Sequence, residues 1–376
     1  MNYTLRQTRD ADLAAVQRFF IKAYGPETTF QSAAFLKWYF AHGDGRETGA
    51  IESLIALDHA GEVVAHYGGL PRTLLLHGQP VSLVWGASAF TLPEWRAHGI
   101  GKRLVEQMMD RYDIFGVIGF SAKAAEFYRE AGFNVFEKQR FNRFVLNLAE
   151  STFRLAGLAG HDPVLVRARL PVVKPPAFVA LPPGVELREI SAEDAGRWWW
   201  QLAATVSATA RREFPDLHHR FFGNPFIRYR CFAAVQGDRV LTGLFTRRET
   251  AGATGLSVER IIDLSGDPAG AAALLAHVGR VAEEEGASFV DFASIGSLYR
   301  DAMDAAGFAV LENDETGMLP QVMAPPEARP NIEFLGLFSR RFAEGIAALR
   351  ASDVYFTRAD SDRDRIARLS QTTNVR

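Results

Sequence analysis

The strongest constraint on the fold of this chain is a strand, a glycine-containing turn and a helix in direct succession over residues 81–112. The apolar run 81–92 predicts the strand, and apolar residues on one face of 102–112 predict the helix. The turn between them reads Arg-Ala-His-Gly-Ile-Gly over residues 96–101. A helix N-terminus offers unpaired N–H groups and the positive end of the helix dipole, and glycine lets a ligand approach the backbone closely. The turn therefore predicts an anion site, most simply one for a pyrophosphate.

The spacing of these glycines excludes two common phosphate loops. A dinucleotide-binding fingerprint starting at Gly99 would need Gly or Ala at position 104, which is Leu104. A Walker A loop would need Gly at position 96 and Ser or Thr at position 103, and the chain has Arg96 and Arg103 there. The pattern that remains is R-x-x-G-x-G.

A second motif follows the first at a short distance. The apolar run 114–120 predicts another buried strand, and the pattern F-Y-x-x-x-G-F comes next, with Phe127, Tyr128 and Gly132. The two motifs in this order resemble the GNAT acetyltransferase superfamily. The resemblance implies an acyl-CoA donor, acetyl-CoA or a longer acyl-CoA. Its pyrophosphate would bind the first motif, and its pantetheine would enter between two splayed strands.

The resemblance also implies which residues form the site. Tyr128 would protonate the departing thiolate of CoA. His66 lies on the predicted third strand, and its imidazole titrates in the range that suits a proton acceptor, although most strand histidines are simply packed and hydrogen bonded. The residues implied for acyl-CoA binding are Phe90, Thr91, Leu92, Arg96, Ala97, His98, Gly99, Ile100, Gly101 and Lys102.

The chain also contains an internal repeat. Three short features of the first half recur in the same order in the second half, at offsets of 182, 176 and 175 residues. They are Leu5-Arg6 with Leu187-Arg188, Gly61 with Gly237, and Ala131-Gly132-Phe133 with Ala306-Gly307-Phe308. Nearly constant offsets indicate duplication. We predict an α/β protein with two tandem GNAT folds, each a mixed central sheet flanked by helices, of which the second is degenerate.

The second half lacks the residues that CoA chemistry needs. Asp267 and Pro268 stand where the phosphate loop belongs, and Met303 stands at the position that matches Tyr128. We expect this half to support the acceptor site. Trp198–Trp200 are interpreted as contacts with the first half or as a platform for a ring. The predicted organisation is a catalytic domain over 1–150, a proline-rich linker over 151–183, a degenerate domain over 184–325 and a helix–strand tail over 326–376.

Composition limits the partners. The chain has 376 residues and a formal net charge of −2, which gives no general nucleic-acid footprint. It contains no apolar run long enough to span a membrane, no apolar segment at its start, and a single cysteine, Cys231. We expect a cytoplasmic protein without nucleic-acid or membrane partners. The oligomeric state is open.

The charged tail predicts no metal site. A calcium loop starting at Asp360 would need Gly at 365 and Glu at 371, where the chain has Arg365 and Gln371. The alternating carboxylates are interpreted as a solvated end, and we expect no metal cofactor.

The sequence therefore predicts an acyl-CoA-dependent N-acyltransferase that transfers an acyl group directly to a primary amine. The tail and the context of residues 61–66 and 91–93 resemble bacterial tandem-GNAT proteins of surface-polysaccharide synthesis, which implies the amino group of a nucleotide-linked sugar as acceptor. Two alternatives stay open: a transferase for another amine or with an aminoacyl donor, and a non-catalytic CoA-binding sensor or scaffold.

Overall fold

The computed structural model describes residues 2–40, 51–120, 122–136, 142–195, 206–311, 315, 317–323, 326–327 and 334–364. The strands in these ranges are β1 (Thr4–Gln7), β2 (Ser53–Leu57), β3 (Val63–Leu76), β4 (Gln79–Thr91), β5 (Ile114–Phe120), β6 (Asn134–Phe136), β7 (Asn142–Asn147), β8 (Val185–Ile190), β9 (Ala208–Ala210), β10 (Arg230–Gln236), β11 (Arg239–Thr250), β12 (Ser257–Gly266), β13 (Phe289–Ile295), β14 (Ala309–Leu311), β15 (Val322–Met323), β16 (Pro326–Glu327), β17 (Phe334–Phe338) and β18 (Val354–Thr357).

The α-helices in the same ranges are α1 (Leu13–Tyr24), α2 (Ala33–Tyr39), α3 (Ile100–Met109), α4 (Ala122–Glu130), α5 (Ser151–Leu158), α6 (Pro163–Arg169), α7 (Ala192–Ala195), α8 (Phe214–Leu217), α9 (Pro268–Glu284), α10 (Arg300–Ala305) and α11 (Ala343–Ala347). Among the described residues, no helix is long and apolar enough to cross a membrane.

The chain forms two compact units, and neither is continuous in sequence. Unit 1 comprises Met1–Lys138, Glu333–Arg350 and Asp360–Arg376, and unit 2 comprises Gln139–Ile332 and Ala351–Ala359. The last part of the chain is thus divided between the units, whereas the sequence predicts a separate tail over 326–376.

Unit 1 contains a mixed sheet in the order β1-β2-β3-β4-β5-β17-β6. Only the β4–β5 pair is parallel, and α3 connects these two strands, as a parallel pair requires. Helix α3 buries Ile100, Leu104, Val105, Met108 and Met109 at helical spacing, and this apolar face fixes the helix on the core.

Unit 2 contains a sheet with the same sequence of pairings, β8-β10-β11-β12-β13-β7-β14. Again only one of these pairs, β12–β13, is parallel, and the long helix α9 connects it. In each unit one strand comes from the other half of the sequence: β17 lies between β5 and β6, and β7 lies between β13 and β14. The predicted α/β class with mixed sheets and flanking helices is confirmed.

The proline-rich stretch differs from the extended linker predicted for 151–183. Residues Ser151–Leu158 and Pro163–Arg169 are helical, and Asp162 caps the second helix by accepting a hydrogen bond from the Val164 N–H at 2.8 Å. Pro163 occupies the first turn of that helix, where its missing N–H costs no hydrogen bond. The four residues between these helices and the part after Leu170 up to β8 lack regular structure. The predicted platform Trp198–Trp200 lies outside the described residues.

Candidate functional site

The central strands of unit 1 separate at one end. β4 and β5 pair in parallel from Leu83 with Ile114 to Gly86 with Val117, and both strands continue beyond the last pair. β17 covers the opposite edge of β5 as far as Phe120. The space between residues 87–91 of β4 and 118–120 of β5 is referred to below as the opening. It is the splayed pair that the resemblance implies.

A bulge in β4 lies at the mouth of the opening. His66 pairs with Phe90 and Gly68 pairs with Ala87, so two residues of β4 stand opposite one residue of β3. Ser88 in this bulge has a φ of 50°, an unusual conformation for a residue other than glycine. Bulges often re-aim backbone groups beside active sites.

His66 stabilises the bulge. Its Nδ1 lies 3.1 Å from the carbonyl oxygen of Ser88, which is the geometry of an N–H donor to that oxygen. Its Nε2 is buried without a hydrogen-bond partner among the described residues, and the rings of Phe20 and Phe40 lie against the imidazole at 4.7 and 5.3 Å. Burial lowers the pKa of His66 to about 4. A ring enclosed in this way does not present a nitrogen to an amine, so the structure favours a positioning role for His66 over that of proton acceptor.

The lowered pKa of His66 predicts an acid-sensitive fold. Between about pH 6.5 and about pH 4 the unfolded chain binds a proton at this histidine and the native chain does not, so stability falls as the pH falls through that window. The expected contribution is about 3 kcal/mol of unfolding free energy. His66→Asn keeps an N–H donor for Ser88 but does not titrate. Chemical denaturation of both proteins at several pH values measures the unfolding free energy. As the pH falls from about 6.5 to about 4, this free energy should decline more steeply for the wild type than for His66→Asn. Parallel declines would contradict this account.

The predicted phosphate loop, residues 96–102, lies at the N-terminus of α3. Gly99 adopts a φ of 68°, and at the start of the helix the Arg103 N–H donates a hydrogen bond to the Gly99 carbonyl at 3.3 Å. The N–H groups before Arg103 lie at the open end of the helix. Arg96 donates from Nε to the carbonyl of Thr91 at 3.1 Å, and its guanidinium lies over the Phe90 ring at 5.4 Å.

The residues implied for acyl-CoA binding differ in exposure, and Phe90, Thr91, His98 and Gly101 are half-buried. Arg96, Ala97, Gly99 and Lys102 are exposed. Leu92 and Ile100 are buried, and the Leu92 N–H donates to the Val64 carbonyl at 3.0 Å. These two residues therefore anchor the loop to the core through their side chains.

Two tyrosines meet beside the opening. The hydroxyl oxygens of Tyr67 and Tyr128 are 2.8 Å apart, and either group can be the donor. A Cβ atom at Gly86 would lie 2.7 Å from the Tyr67 hydroxyl, so the pair is close to the last residue that links β4 to β5. The ring of Tyr128 packs against Phe120, at the end of β5, with the ring centres 5.0 Å apart. Tyr128 therefore lies beside the opening, in contact with Tyr67 and Phe120.

Both tyrosines are held in the protonated form. Burial raises the pKa of Tyr128 to about 12, partly offset by the hydrogen bond from Tyr67, and the charge of Asp362 raises it further. Burial, followed by the neighbouring Tyr128 and the charge of Asp362, raises the pKa of Tyr67 well above its usual value. Each phenol therefore carries a proton at neutral pH.

Asp362 belongs to a turn that the sequence places in solvent. Residues 360–364, referred to below as the tail turn, lie in unit 1, and Asp360, Ser361, Asp362 and Asp364 are buried. The interpretation as a solvated end is therefore wrong, because alternating carboxylates cannot reveal long-range burial. Tyr67 is also buried beside the opening, where its hydroxyl contacts that of Tyr128, and no local signal in the sequence indicates this contact.

The corresponding position in unit 2 is filled by protein. β12 and β13 pair only from Glu259 with Val290 to Ile261 with Phe292. Ser294 of β13 pairs with β7 on one edge and with Thr357 of β18 on the other, so β18 takes the place beside β13 that β12 leaves.

Hydrogen bonds to β12 close this space from its other side. The Tyr355 hydroxyl donates to the Leu264 carbonyl at 2.6 Å, and the Tyr299 hydroxyl donates to the Gly266 carbonyl at 2.7 Å. At the start of α9, the carboxylate of Asp267 accepts from the Ala269 N–H at 2.9 Å. In unit 2 the Asp267 carboxylate therefore already accepts a hydrogen bond from one of the N–H groups that could otherwise bind a phosphate.

Comparisons with known proteins agree with the geometry of unit 1. Residues 4–136 match the family model of the acetyltransferase (GNAT) domain. The matched residues, fewer than half of the chain, are similar to a GNAT acetyltransferase domain. This similarity supports an N-acyltransferase. No curated protein matches the chain.

Solved structures show the same fold at low sequence identity. A probable N-acyltransferase from Enterococcus faecalis is 12% identical, with a TM-score of 0.54 over 82% of this chain and 70% of that one. A GCN5-related N-acetyltransferase from Kribbella flavida is 15% identical, with a TM-score of 0.52 over 92% and 73%. The N-myristoyltransferase of Saccharomyces cerevisiae with bound myristoyl-CoA is 11% identical, with a TM-score of 0.52 over 90% and 79%.

Proposed function

We propose that the GNAT domain of unit 1 transfers an acyl group from acyl-CoA directly to a primary amine. The pyrophosphate lies over the 96–102 loop, the pantetheine enters the opening, and the thioester reaches the hydroxyl of Tyr128. The observation that carries the proposal is the end of the β4–β5 pairing at Gly86 and Val117, with the tyrosine pair beside it. One opening thus combines a gap for an extended thiol arm with an acid for the leaving sulfur.

The chemistry follows from these positions. The amine nitrogen forms a bond with the thioester carbon, the carbon–sulfur bond breaks, and Tyr128 gives its proton to the sulfur. Backbone N–H groups of the bulge at Ser88 stabilise the negative oxygen of the tetrahedral intermediate. Acyl transfer to a cysteine is not needed, and Cys231 is buried in unit 2.

We propose a nucleotide-linked amino sugar as the acceptor. This part of the proposal rests on the resemblance of the tail and of residues 61–66 and 91–93 to polysaccharide-associated tandem-GNAT proteins. A thermal-shift screen with acyl-CoAs, nucleotide amino sugars, other amines and aminoacyl donors tests it, because a ligand that binds only the native state raises the melting temperature. If another amine is acylated, that amine replaces the amino sugar as the acceptor. If an aminoacyl compound serves as the donor, it replaces acyl-CoA. CoA binding without transfer would favour a sensor.

We further propose that unit 2 is a second, degenerate GNAT-like unit that does not bind CoA. The identical order of strand pairings supports a common origin. β18 and the hydroxyls of Tyr299 and Tyr355 occupy the space that a pantetheine would need, and Asp267 would repel a phosphate. Titration of CoA into the full chain should therefore give one site per chain.

A substitution in the 96–102 loop should weaken that site. Gly99→Asp places a carboxylate beside the pyrophosphate, and we expect CoA affinity to fall by about 10- to 100-fold, or ~1.4–3 kcal/mol. Gly61→Asp is a matched control, because Gly61 also has a positive φ, of 80°, with open space around its Cβ position. Isothermal titration of CoA into the three proteins measures the effect. Equal affinities would show that the pyrophosphate binds elsewhere.

A further inference from the structure

The tail turn lies against the end of β5 that borders the opening. A Cβ atom at Gly119 would overlap the guanidinium of Arg363, so a side chain of the tail turn lies directly on this glycine. Gly119 has a φ of 82°, and the next residue, Phe120, packs on the ring of Tyr128. The turn and the tyrosine pair are therefore neighbours within unit 1.

The conformation of the tail turn is unusual for a segment without a function. Ser361 has a φ of 60° and is 1% exposed, and its hydroxyl is buried without a hydrogen-bond partner among the described residues. Left-handed residues other than glycine cluster at functional sites, and a buried hydroxyl without a partner commonly marks the position of a water or ligand. A polar group of a ligand could form a hydrogen bond with the Ser361 hydroxyl.

The acyl transfer needs a proton acceptor, and His66 is not placed to be one. Its Nε2 is enclosed by aromatic rings, whereas Asp362 is the carboxylate whose charge acts on both Tyr67 and Tyr128. Once the carbon–nitrogen bond forms, the nitrogen carries a positive charge and loses a proton more readily than a free ammonium group does, so a nearby carboxylate can accept that proton. The side chain of Asp362 is buried, where its negative charge also attracts the acceptor amine.

We propose that Asp362 takes the proton from the acceptor nitrogen and returns it through Tyr67 to Tyr128. The proposal rests on the proposed function and assigns its acceptor side to the tail turn. Tyr128 gives its proton to the sulfur and recovers one from Tyr67 across their hydrogen bond, which can point either way. Protonated Asp362 then restores Tyr67, directly or through one water. One proton moves from nitrogen to sulfur overall, and the three residues return to their starting states.

Asp362→Asn tests the relay in the full chain. With acetyl-CoA and the amine on which the wild type is most active, we expect kcat to fall by ~10²–10⁴ while the Kd for CoA stays unchanged. Asp362→Glu should recover part of the loss. Asp110→Asn makes the same chemical change at an exposed carboxylate just after the end of α3, outside the site, and should keep activity close to that of the wild type. If Asp362→Asn does not fold, Tyr67→Phe breaks the return path and should lower kcat alone.

A spectroscopic readout separates the relay from mere support of the fold. Alkaline titration of tyrosine absorbance should show that Asp362→Asn makes tyrosine ionise at lower pH, and this difference should disappear when Tyr67 and Tyr128 are both phenylalanine. A titration that Asp362→Asn does not change would overturn the relay. Full activity of Asp362→Asn would also overturn it and would leave the proposed function intact. A wild type that binds CoA but acylates no amine would overturn both.

Discussion

Replacing Tyr128 with phenylalanine should lower the turnover of acyl transfer by ~10²–10⁴ and leave CoA affinity nearly unchanged. The change removes the hydroxyl that protonates the sulfur, and the packing against Phe120 and Phe133, each with ring centres 5.0 Å away, is retained. Release of free thiol from acetyl-CoA measures turnover, and isothermal titration measures affinity. Tyr112→Phe removes one hydroxyl just before the start of β5, away from the opening, and serves as the control. Normal turnover of Tyr128→Phe would show that this tyrosine only packs.

Replacing Asp291 with asparagine should destabilise unit 2 by about 3–5 kcal/mol. Asp291 is fully buried and accepts hydrogen bonds from Arg143 at 2.7 Å, Arg260 at 2.8 Å and Arg358 at 2.8 Å. Burial alone would raise the pKa of Asp291, but the three guanidinium groups hold it far below its usual value. Without this negative charge, the guanidinium groups repel one another in a site of low polarity.

The midpoint of chemical denaturation measures the loss of stability. Asp301→Asn makes the same change at an exposed residue of α10 in the same unit, and its effect should stay within about 0.5 kcal/mol. A midpoint for Asp291→Asn that equals that of the control would show that the buried arginines find other acceptors.

The local parts of the donor site could be predicted from the sequence. The strand, loop and helix around Gly99 depend on apolar periodicity and on glycine, which are local signals, and the structure places α3 within two residues of the predicted start. Repeated short features similarly indicated that the second half resembles the first. Asp267, which the sequence analysis assigns only to the lost phosphate loop, caps α9, a role that a carboxylate before a helix commonly plays.

The parts that the sequence could not indicate depend on distant contacts. No local pattern shows that β17 completes the sheet of unit 1 or that β7 completes the sheet of unit 2, because pairing partners far apart in sequence leave no periodic signal. The burial of Asp362 is of the same kind. His66 shows a related limit: its residue type suits proton transfer, and only the surrounding phenylalanine rings show that its free nitrogen is enclosed.

A crystal structure of the full chain with acetyl-CoA tests the central claim most directly. We predict one CoA per chain, with its pyrophosphate on the N–H groups of the 96–102 loop, its pantetheine between β4 and β5, and its sulfur within hydrogen-bond distance of the Tyr128 hydroxyl. Density for CoA between β12 and β13, or CoA bound to unit 1 away from the opening, would contradict the assignment of the acyltransferase site.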